Sequence, residues 1–230
     1  MAKVFLGVGH GGKDPGAIGN GFHEADLNLA IALACRDELV RHGVTVGMSR
    51  TADVNDPVSD EAKECNAFKP DLGLDIHCNA GGGDGAETFY HYKGGTSKTL
   101  AEKVLAEIVK IGQNSRGAKK KQRADGEDHY YFIRETACPA IVVECAFVDN
   151  ATDIKIIDTA AEQKKMGVAI AKGVLATLGI AYKAETKAEE KAEEVIYRVQ
   201  VGAFKSKANA ETMRKRLYAA GYPAIIVKSK

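Results

Sequence analysis

The stretch FLGVGHGGKDPGAIG, residues 5–19, decides the fold, because an apolar strand runs directly into a glycine-rich turn. Its glycines match two nucleotide-binding patterns, the G-x-G-x-x-G of a dinucleotide loop and most of a G-x-x-x-x-G-K phosphate loop. Both patterns need a helix to begin immediately after the loop, since the free N–H groups of the helix start hold the phosphate. Here an Asp-Pro-Gly turn occupies residues 14–16, and the helical pattern begins only near His23. The stretch therefore argues against a nucleotide and directs attention to His10.

Short strand patterns alternate with helical patterns over the first 180 residues. The predicted strands are residues 4–8, 44–49, 72–76, 87–91 and 140–144. The predicted helices, each followed by a glycine, are residues 24–42, 97–111 and 162–178. Continuously apolar strand centres are typical of buried, largely parallel strands. The order predicts an α/β fold in which a mostly parallel, twisted sheet carries helices on both faces.

Bulk composition excludes several classes of protein. With 230 residues, 45% hydrophobic and 27% charged, the chain has an ordinary globular composition. A formal net charge of +1 gives no basic field for nucleic acid or an anionic membrane, and no apolar run approaches the roughly 18 residues of a membrane span. Five cysteines without a C-x-x-C pair suit a reducing compartment. The first residues lack a signal-peptide pattern, which predicts synthesis in the cytoplasm.

The composition changes after residue 180. Residues 181–194 contain no large aliphatic side chain and interleave Glu with Lys, which is typical of a solvated linker. Residues 195–230 predict a small β-α-β unit, with strands at 196–201 and 224–227 and a helix at 208–220. The predicted organisation is therefore a main domain at residues 1–180, a linker at 181–194 and a small unit at 195–230. The small unit cannot bury much surface by itself.

Side chains of metal-ligand type stand near the ends of the predicted strands, where ligands gather in open α/β sheets. His10, His77 and Glu144 each follow or end an apolar strand, and Glu24 lies in the first turn of the first helix. Two imidazoles and one carboxylate match a catalytic zinc set with a fourth position for water, and iron or manganese are alternatives. Glu144 could then accept a proton. Asn79, just beyond His77, is predicted to contact substrate.

Each of these residues also has a simpler interpretation. Glu24 could merely complement the helix dipole, and His23 beside it could be a ligand or a helix cap. Glu144 after an apolar run would be costly to bury without a cation or hydrogen bonds. Strand alternation turns Cys78 and Cys145 away from their polar neighbours, which predicts core packing. The remaining histidines, predicted to be surface or supporting residues, are His42, His91 and His129.

Four stretches resemble the zinc-dependent N-acetylmuramoyl-L-alanine amidases of the type 3 class: VGHGGKDPGAIGNGFHEADLNLAIA, NAFKPDLGLDIHCNA, ETFYHY and PAIVVECAFVDNATD. They occur in family order across residues 3 to 180. The resemblance implies zinc bound by His10, Glu24 and His77, with Glu144 as the catalytic acid/base. It also implies bacterial peptidoglycan as substrate, cut between the lactyl group of N-acetylmuramic acid and L-alanine.

Two positions depart from the family pattern. Asp75 stands where members usually have a serine, two residues before His77. Cys145 stands where a glycine commonly follows the catalytic glutamate. Neither departure removes a predicted ligand, so they bear on substrate detail rather than on the reaction.

The final stretch, YRVQVGAFKSKANAETMRKRLYAAGYPAIIV, resembles the first half of a SPOR domain, a family that binds glycan strands stripped of stem peptides. The full domain repeats the β-α-β unit, whereas residues 195–230 contain one copy. A half unit would expose a strand edge that a second chain could cover, which predicts a homodimer through residues 195–230. Packing against the chain's own main domain, or a remnant without a role, are the alternatives.

A wall substrate without a signal peptide points to release by lysis or through a phage holin pore. A phage or prophage endolysin is the leading biological setting, and an amidase that lyses the mother cell in sporulation is the alternative. Three other classes stay open: a non-catalytic wall-binding protein, a zinc peptidase acting within the stem peptide, and a cysteine hydrolase using Cys78 or Cys145.

Overall fold

A computed structural model describes residues 1–185 and 202–219. The chain divides into two compact units, residues 1–183 and residues 184–230. The strands of the first unit are Lys3–Val8 (β1), Ile18–Gly19 (β2), Phe22–His23 (β3), Thr45–Met48 (β4), Leu72–Asn79 (β5), Ala86–Tyr90 (β6), Ser115–Lys119 (β7) and Ala140–Phe147 (β8). Its helices are Glu24–Arg41 (α1), Val58–Phe68 (α2), Thr96–Lys110 (α3), Tyr131–Glu135 (α4) and Ala160–Leu178 (α5), with a 3-10 turn at Asp153–Ile156. In the second unit, helix α6 spans Lys207–Ala219.

Six strands form the main sheet, in the order β4-β1-β5-β8-β6-β7. Strands β4, β1, β5 and β8 are parallel, whereas β6 is antiparallel to β8 and β7 is parallel to β6. The central strands β1, β5 and β8 are buried along most of their length, which is why their sequences are apolar without alternation. The predicted α/β fold with a mostly parallel sheet is confirmed.

Helices cover both faces of this sheet. Leu6 of β1 belongs to the large core formed with α1, α3 and α5, while the adjacent Phe5 packs with Phe132 on the face covered by α2 and α4. Glycines allow α5 to approach its neighbours closely. A Cβ on Gly167 would lie 2.6 Å from a carbonyl oxygen of α1, and one on Gly173 would lie 2.4 Å from the Cα of Val104 in α3.

Local sequence sets the ends of α5. The hydroxyl of Thr159 accepts a hydrogen bond from the backbone N–H of Glu162 at 3.2 Å, which satisfies one free donor of the first turn. Gly179 then ends the helix with φ at 72°, a left-handed conformation that costs little without a side chain. The helix therefore begins two residues before the predicted residue 162 and ends at Leu178 as predicted.

Two of the predicted strands are longer in the structure. β5 continues to Asn79 and β8 to Phe147, so His77 and Glu144 lie within strands rather than at their last residues. The edge strand β7 was not predicted, since its sequence SRGAK has no apolar pattern and only one side of it pairs with the sheet. Helix α2 was not predicted, since few of its side chains are buried and no apolar stripe marks it.

The small C-terminal unit is described only in part. Helix α6 agrees with the helix predicted at residues 208–220. The strands predicted at 196–201 and 224–227, and residues 186–194 of the predicted linker, lie outside the described residues. The predicted domain boundaries therefore stay a prediction. Within residues 1–185 and 202–219, no helix has the length and apolar character needed to cross a membrane.

Candidate metal centre

Three neighbouring parallel strands bring the predicted site residues to one edge of the sheet. His10 follows β1, His77 lies near the end of β5, and Glu144 of β8 is its direct partner in the strand register. Glu24 is the first residue of α1, whose backbone N–H is held by the carbonyl of Ala17 at 2.9 Å. The chain therefore leaves β1, turns back through a short hairpin, and returns Glu24 to the same edge.

The loop after β1 fixes the orientation of His10. His10 has φ at 65°, an unusual left-handed conformation for a residue with a side chain. Its ring Nδ1 lies 2.8 Å from Oδ2 of Asp14, and the other oxygen of Asp14 accepts the backbone N–H of Gly16 at 3.0 Å. The ring is thereby held with Nε2 directed at Glu24, 3.3 Å from its Oε2. Strained backbone of this kind is found where a site over-determines the conformation.

His10, Glu24 and His77 present three ligand atoms within 4.8 Å of one another. Glu24 lies between the two rings, since its Oε1 is 3.0 Å from Nδ1 of His77. Its oxygens also accept the backbone N–H groups of Ala17 at 2.9 Å and Cys78 at 3.1 Å. Burial alone would raise the pKa of Glu24, but the contacts with both histidines outweigh burial and hold that pKa well below its usual range.

These residues fit a divalent metal ion. Two imidazole nitrogens and one carboxylate oxygen are the mixed donor set that zinc accepts, and the buried charge of Glu24 would be balanced by a cation. Each histidine also contacts a second carboxylate through its other nitrogen: His10 contacts Asp14, and Nε2 of His77 lies 3.3 Å from Oδ2 of Asp75. Metal-binding histidines usually have such a partner. Neither contact could be predicted from the sequence, which shows only where the two acids stand.

Two glycines make room for the ligands. A Cβ on Gly9 would lie only 2.1 Å from Cε1 of His77, and one on Gly16 would lie 2.7 Å from both the Glu24 carboxylate and the His10 ring. Gly16 thus clears space around His10 and Glu24. Gly9, however, clears space for His77, on the neighbouring strand.

Glu144 stands beside this group on β8. Glu144 is half-buried, and its Oε2 atom is buried without a hydrogen-bond partner among the described residues. Burial raises the pKa of Glu144 to about 7. Glu87 is its register partner on β6, and the charge of Glu87 is balanced by Lys119 and by Arg116 at 3.4 Å. Glu144 therefore has a carboxylate free to exchange a proton near neutral pH.

Asn79 lies at the end of β5, where its side-chain amide donates to Oε1 of Glu87 at 2.8 Å. It therefore belongs to the same edge, and its contact with substrate stays a prediction. His23 is exposed, makes no side-chain cap and lies 3.7 Å from Asp26, so the structure does not bring it into the group. Cys78 and Cys145 are buried in the large core, which confirms the prediction that they pack there.

The other histidines have separate surroundings. The side chain of His42 is buried at the end of α1 and stacks on Tyr182, which excludes the surface position, one of the two alternatives predicted for it. His91 lies 3.2 Å from Asp128. His129 is exposed and lines the cleft described next.

A cleft of about 450 Å³ opens beside the candidate metal centre. Its lining includes His10, His77 and residues at the N-terminal ends of α2 and α4, which we call its α2 and α4 walls. The α2 wall contains the acidic residues Asp56 and Glu61, and Asp75 also lines the cleft. The α4 wall is formed by residues 129–132. Sequence reasoning missed this cleft because α2 and α4 carry no strong periodic pattern.

Comparisons with known proteins agree with this geometry. A family described as N-acetylmuramoyl-L-alanine amidase matches residues 4–176, and the SPOR domain family matches residues 172–230. The sporulation-specific N-acetylmuramoyl-L-alanine amidase of Bacillus subtilis is 32% identical over 230 residues, covering 99% of this chain and 85% of its own length. An endolysin of Bacillus phage SPP1 is 32% identical over 201 residues, covering 83% of this chain and 72% of its own length.

A solved structure also matches. The catalytic domain of CwlV, an N-acetylmuramoyl-L-alanine amidase from Bacillus (Paenibacillus) polymyxa, superposes with a TM-score of 0.71 at 26% identity. The match covers 79% of this chain and 100% of that domain.

Proposed function

Because the chain belongs to the N-acetylmuramoyl-L-alanine amidase family, we propose that it cuts peptidoglycan with a zinc ion held by His10, Glu24 and His77. The bond cut is the amide between N-acetylmuramic acid and L-alanine. The observation that carries the zinc site is the convergence of two imidazoles on one buried carboxylate, within 4.8 Å.

The reaction consumes one water and yields a lactyl carboxylate and the free amino group of L-alanine. A zinc ion held by these residues supplies Lewis-acid polarisation of the scissile carbonyl and stabilises the charge that develops on its oxygen. Asp14 holds His10, and the two backbone N–H groups hold Glu24, so the ligand atoms are oriented before substrate arrives.

Glu144 acts as the proton carrier. Its Oε2 takes the proton of the attacking water and returns it to the leaving nitrogen, which converts a poor leaving group into an amine. A pKa raised to about 7 by burial allows both steps at neutral pH. Its position on β8, in register with His77 on β5, supports this role.

Digestion of purified peptidoglycan tests the proposal. New L-alanine amino groups on intact stem peptides are expected, and they should disappear with chelator and return when zinc is restored. Glu144→Gln should abolish them while zinc remains bound. A matched control is Glu38→Gln, which changes another buried glutamate near the far end of α1 and should keep the parent rate.

The same digestion separates the alternatives. New ends inside the stem peptide would indicate a zinc peptidase, and binding without new ends would indicate a wall-binding protein. Activity that survives the chelator would defeat the zinc mechanism. A cysteine mechanism is disfavoured by the burial of Cys78 and Cys145 in the large core.

The biological setting is the finer part of the proposal. We keep the phage or prophage endolysin as one candidate, supported by the likeness to the SPP1 endolysin. The sporulation setting is supported by the likeness to the sporulation-specific amidase, which extends over 99% of the chain and so includes its C-terminal unit. Deleting the gene for this chain in the host distinguishes the two settings. Loss of spore release would support the sporulation setting, and loss of lysis after phage induction would support the endolysin.

The C-terminal unit has its own proposal. The SPOR match supports binding to peptidoglycan, and we propose that residues 195–230 also pair with a second copy of the chain. Sedimentation should give a dimer for the full chain and a monomer for a version that ends at Ile180. If both versions sediment as monomers, the pairing is refuted.

A further inference from the structure

Asp75 is a buried acid that the proposed reaction does not use. It lies in β5 two residues before His77, so both side chains leave the strand on the same side. Its residue is 2% exposed. A buried carboxylate without a donor is costly, so we expect a group that donates a hydrogen bond to Asp75. This is also the position where the chain departs from the serine usual in the resembling amidases.

His77 is that group. Nε2 of His77 lies 3.3 Å from Oδ2 of Asp75, while Nδ1 of the same ring lies 3.0 Å from Glu24. The other oxygen, Oδ1, has no hydrogen-bond partner among the described residues. Gly7 on β1 leaves space for it, because a Cβ there would lie 3.0 Å from Oδ1. The ring of His77 is therefore held between two carboxylates that face opposite nitrogens.

We propose that Asp75 is a positioning residue that keeps the proton of His77 on Nε2 and directs the bare Nδ1 at the zinc site beside Glu24. The role rests on the zinc site proposed above. It follows from the ring chemistry, since a neutral imidazole has one donor nitrogen and one acceptor nitrogen, and a carboxylate at Nε2 selects the donor there. The Nε2–H group of His77 in turn donates to the buried carboxylate of Asp75 and offsets the cost of burying it.

Zinc affinity tests this role without using turnover. Asp75→Asn keeps the shape but loses the charge, and Asp75→Ser restores the usual family residue. Both should weaken zinc binding by about 10- to 100-fold, the usual effect of removing such a partner, measured by competition with a chromophoric chelator.

Glu61→Gln is the matched control. Glu61 is 1% exposed and lines the same cleft, but it accepts a hydrogen bond from the hydroxyl of Ser49 at 3.2 Å rather than from a histidine. Burial and the charge of Asp75 raise the pKa of Glu61 to about 9, so glutamine reproduces its neutral form. Zinc affinity should stay within about threefold of the parent.

The unmodified chain provides a second readout. Two-bond proton–nitrogen-15 spectra of the zinc-loaded protein should show the His77 proton on Nε2. A proton on Nδ1, or zinc affinities of both Asp75 variants within about threefold of the parent, would overturn the positioning role alone. A parent chain that binds no zinc would overturn the zinc site and this role together. If Asp75 were merely structural, its substitution would instead lower the unfolding midpoint of the metal-free protein and leave zinc affinity unchanged.

Discussion

Replacing Gly9 by alanine should damage the metal centre through a single methyl group. The added Cβ would lie 2.1 Å from Cε1, 2.4 Å from Nε2 and 2.6 Å from Nδ1 of His77. The backbone at Gly9 is held on both sides: its N–H donates to Ile76 at 3.1 Å, and its carbonyl accepts from Asn28 and Arg50, each at 3.1 Å. The imidazole of His77 must therefore move, because the backbone at Gly9 cannot.

The size of the displacement follows from the contacts. An ordinary contact begins at 3.4 Å, so the ring of His77 must retreat by about 1.3 Å. A misplacement of about 1 Å at a reacting centre costs about 100-fold in rate. That loss corresponds to about 2.7 kcal/mol of transition-state stabilisation. We expect zinc affinity to fall as well, because Nδ1 of His77 leaves its position beside Glu24.

Initial rates of peptidoglycan digestion and zinc competition measure the effect. Gly73→Ala is the matched control, since it also adds a methyl group to a tight position in the sheet, 3.1 Å from Sγ of Cys138, but none near a ligand. That control should lose stability and keep its zinc affinity. A Gly9→Ala enzyme with the parent's rate and affinity would refute the steric reasoning.

Three further changes test other parts of the structure. Glu144→Gln should reduce turnover by at least about 100-fold with unchanged zinc content, measured by metal analysis of the purified variant; equal loss of zinc would contradict its assignment as a proton carrier. Arg50→Lys should lower the free energy of unfolding in urea by about 2 kcal/mol or more, because the buried guanidinium donates to four carbonyls that one ammonium cannot reach together. Gly173→Ala should destabilise by about 1–3 kcal/mol in the same assay, despite the helix propensity of alanine, because the methyl would collide with the backbone of Val104 in α3; a stabilised variant would show that the helices can separate.

The sequence predicts the elements that the core buries. β1 has an uninterrupted apolar run, β5 is apolar up to Asp75, and α1, α3 and α5 pack on the large core, so a hydrophobic pattern marks each of them. α2 and β7 escape prediction for one physical reason. α2 buries Glu61, Ala62 and Cys65 rather than large apolar side chains, and β7 is an edge strand of mainly polar residues.

The candidate site shows the same division. His10, His77 and Glu144 were found because parallel strands end at one edge, and sequence order alone locates that edge. The contact between Asp75 and His77 could not be found this way, because whether a polar side chain meets a ring depends on rotamers and on space left by Gly7 across the sheet. A glycine such as Gly7 can mark a close approach in the sequence, but it does not tell which side chain fills the space.

The ligands and the walls of the cleft belong to separate parts of the framework. The ligands stand on the central strands and the start of α1, whereas the walls are the ends of α2 and α4, two small helices that contact each other. Exchanging residues 55–58 or 129–131 would therefore alter the lining of the cleft without replacing His10, Glu24 or His77. The cleft walls can therefore be redesigned separately from the candidate metal ligands, which offers a starting point for retargeting the enzyme to other cell walls.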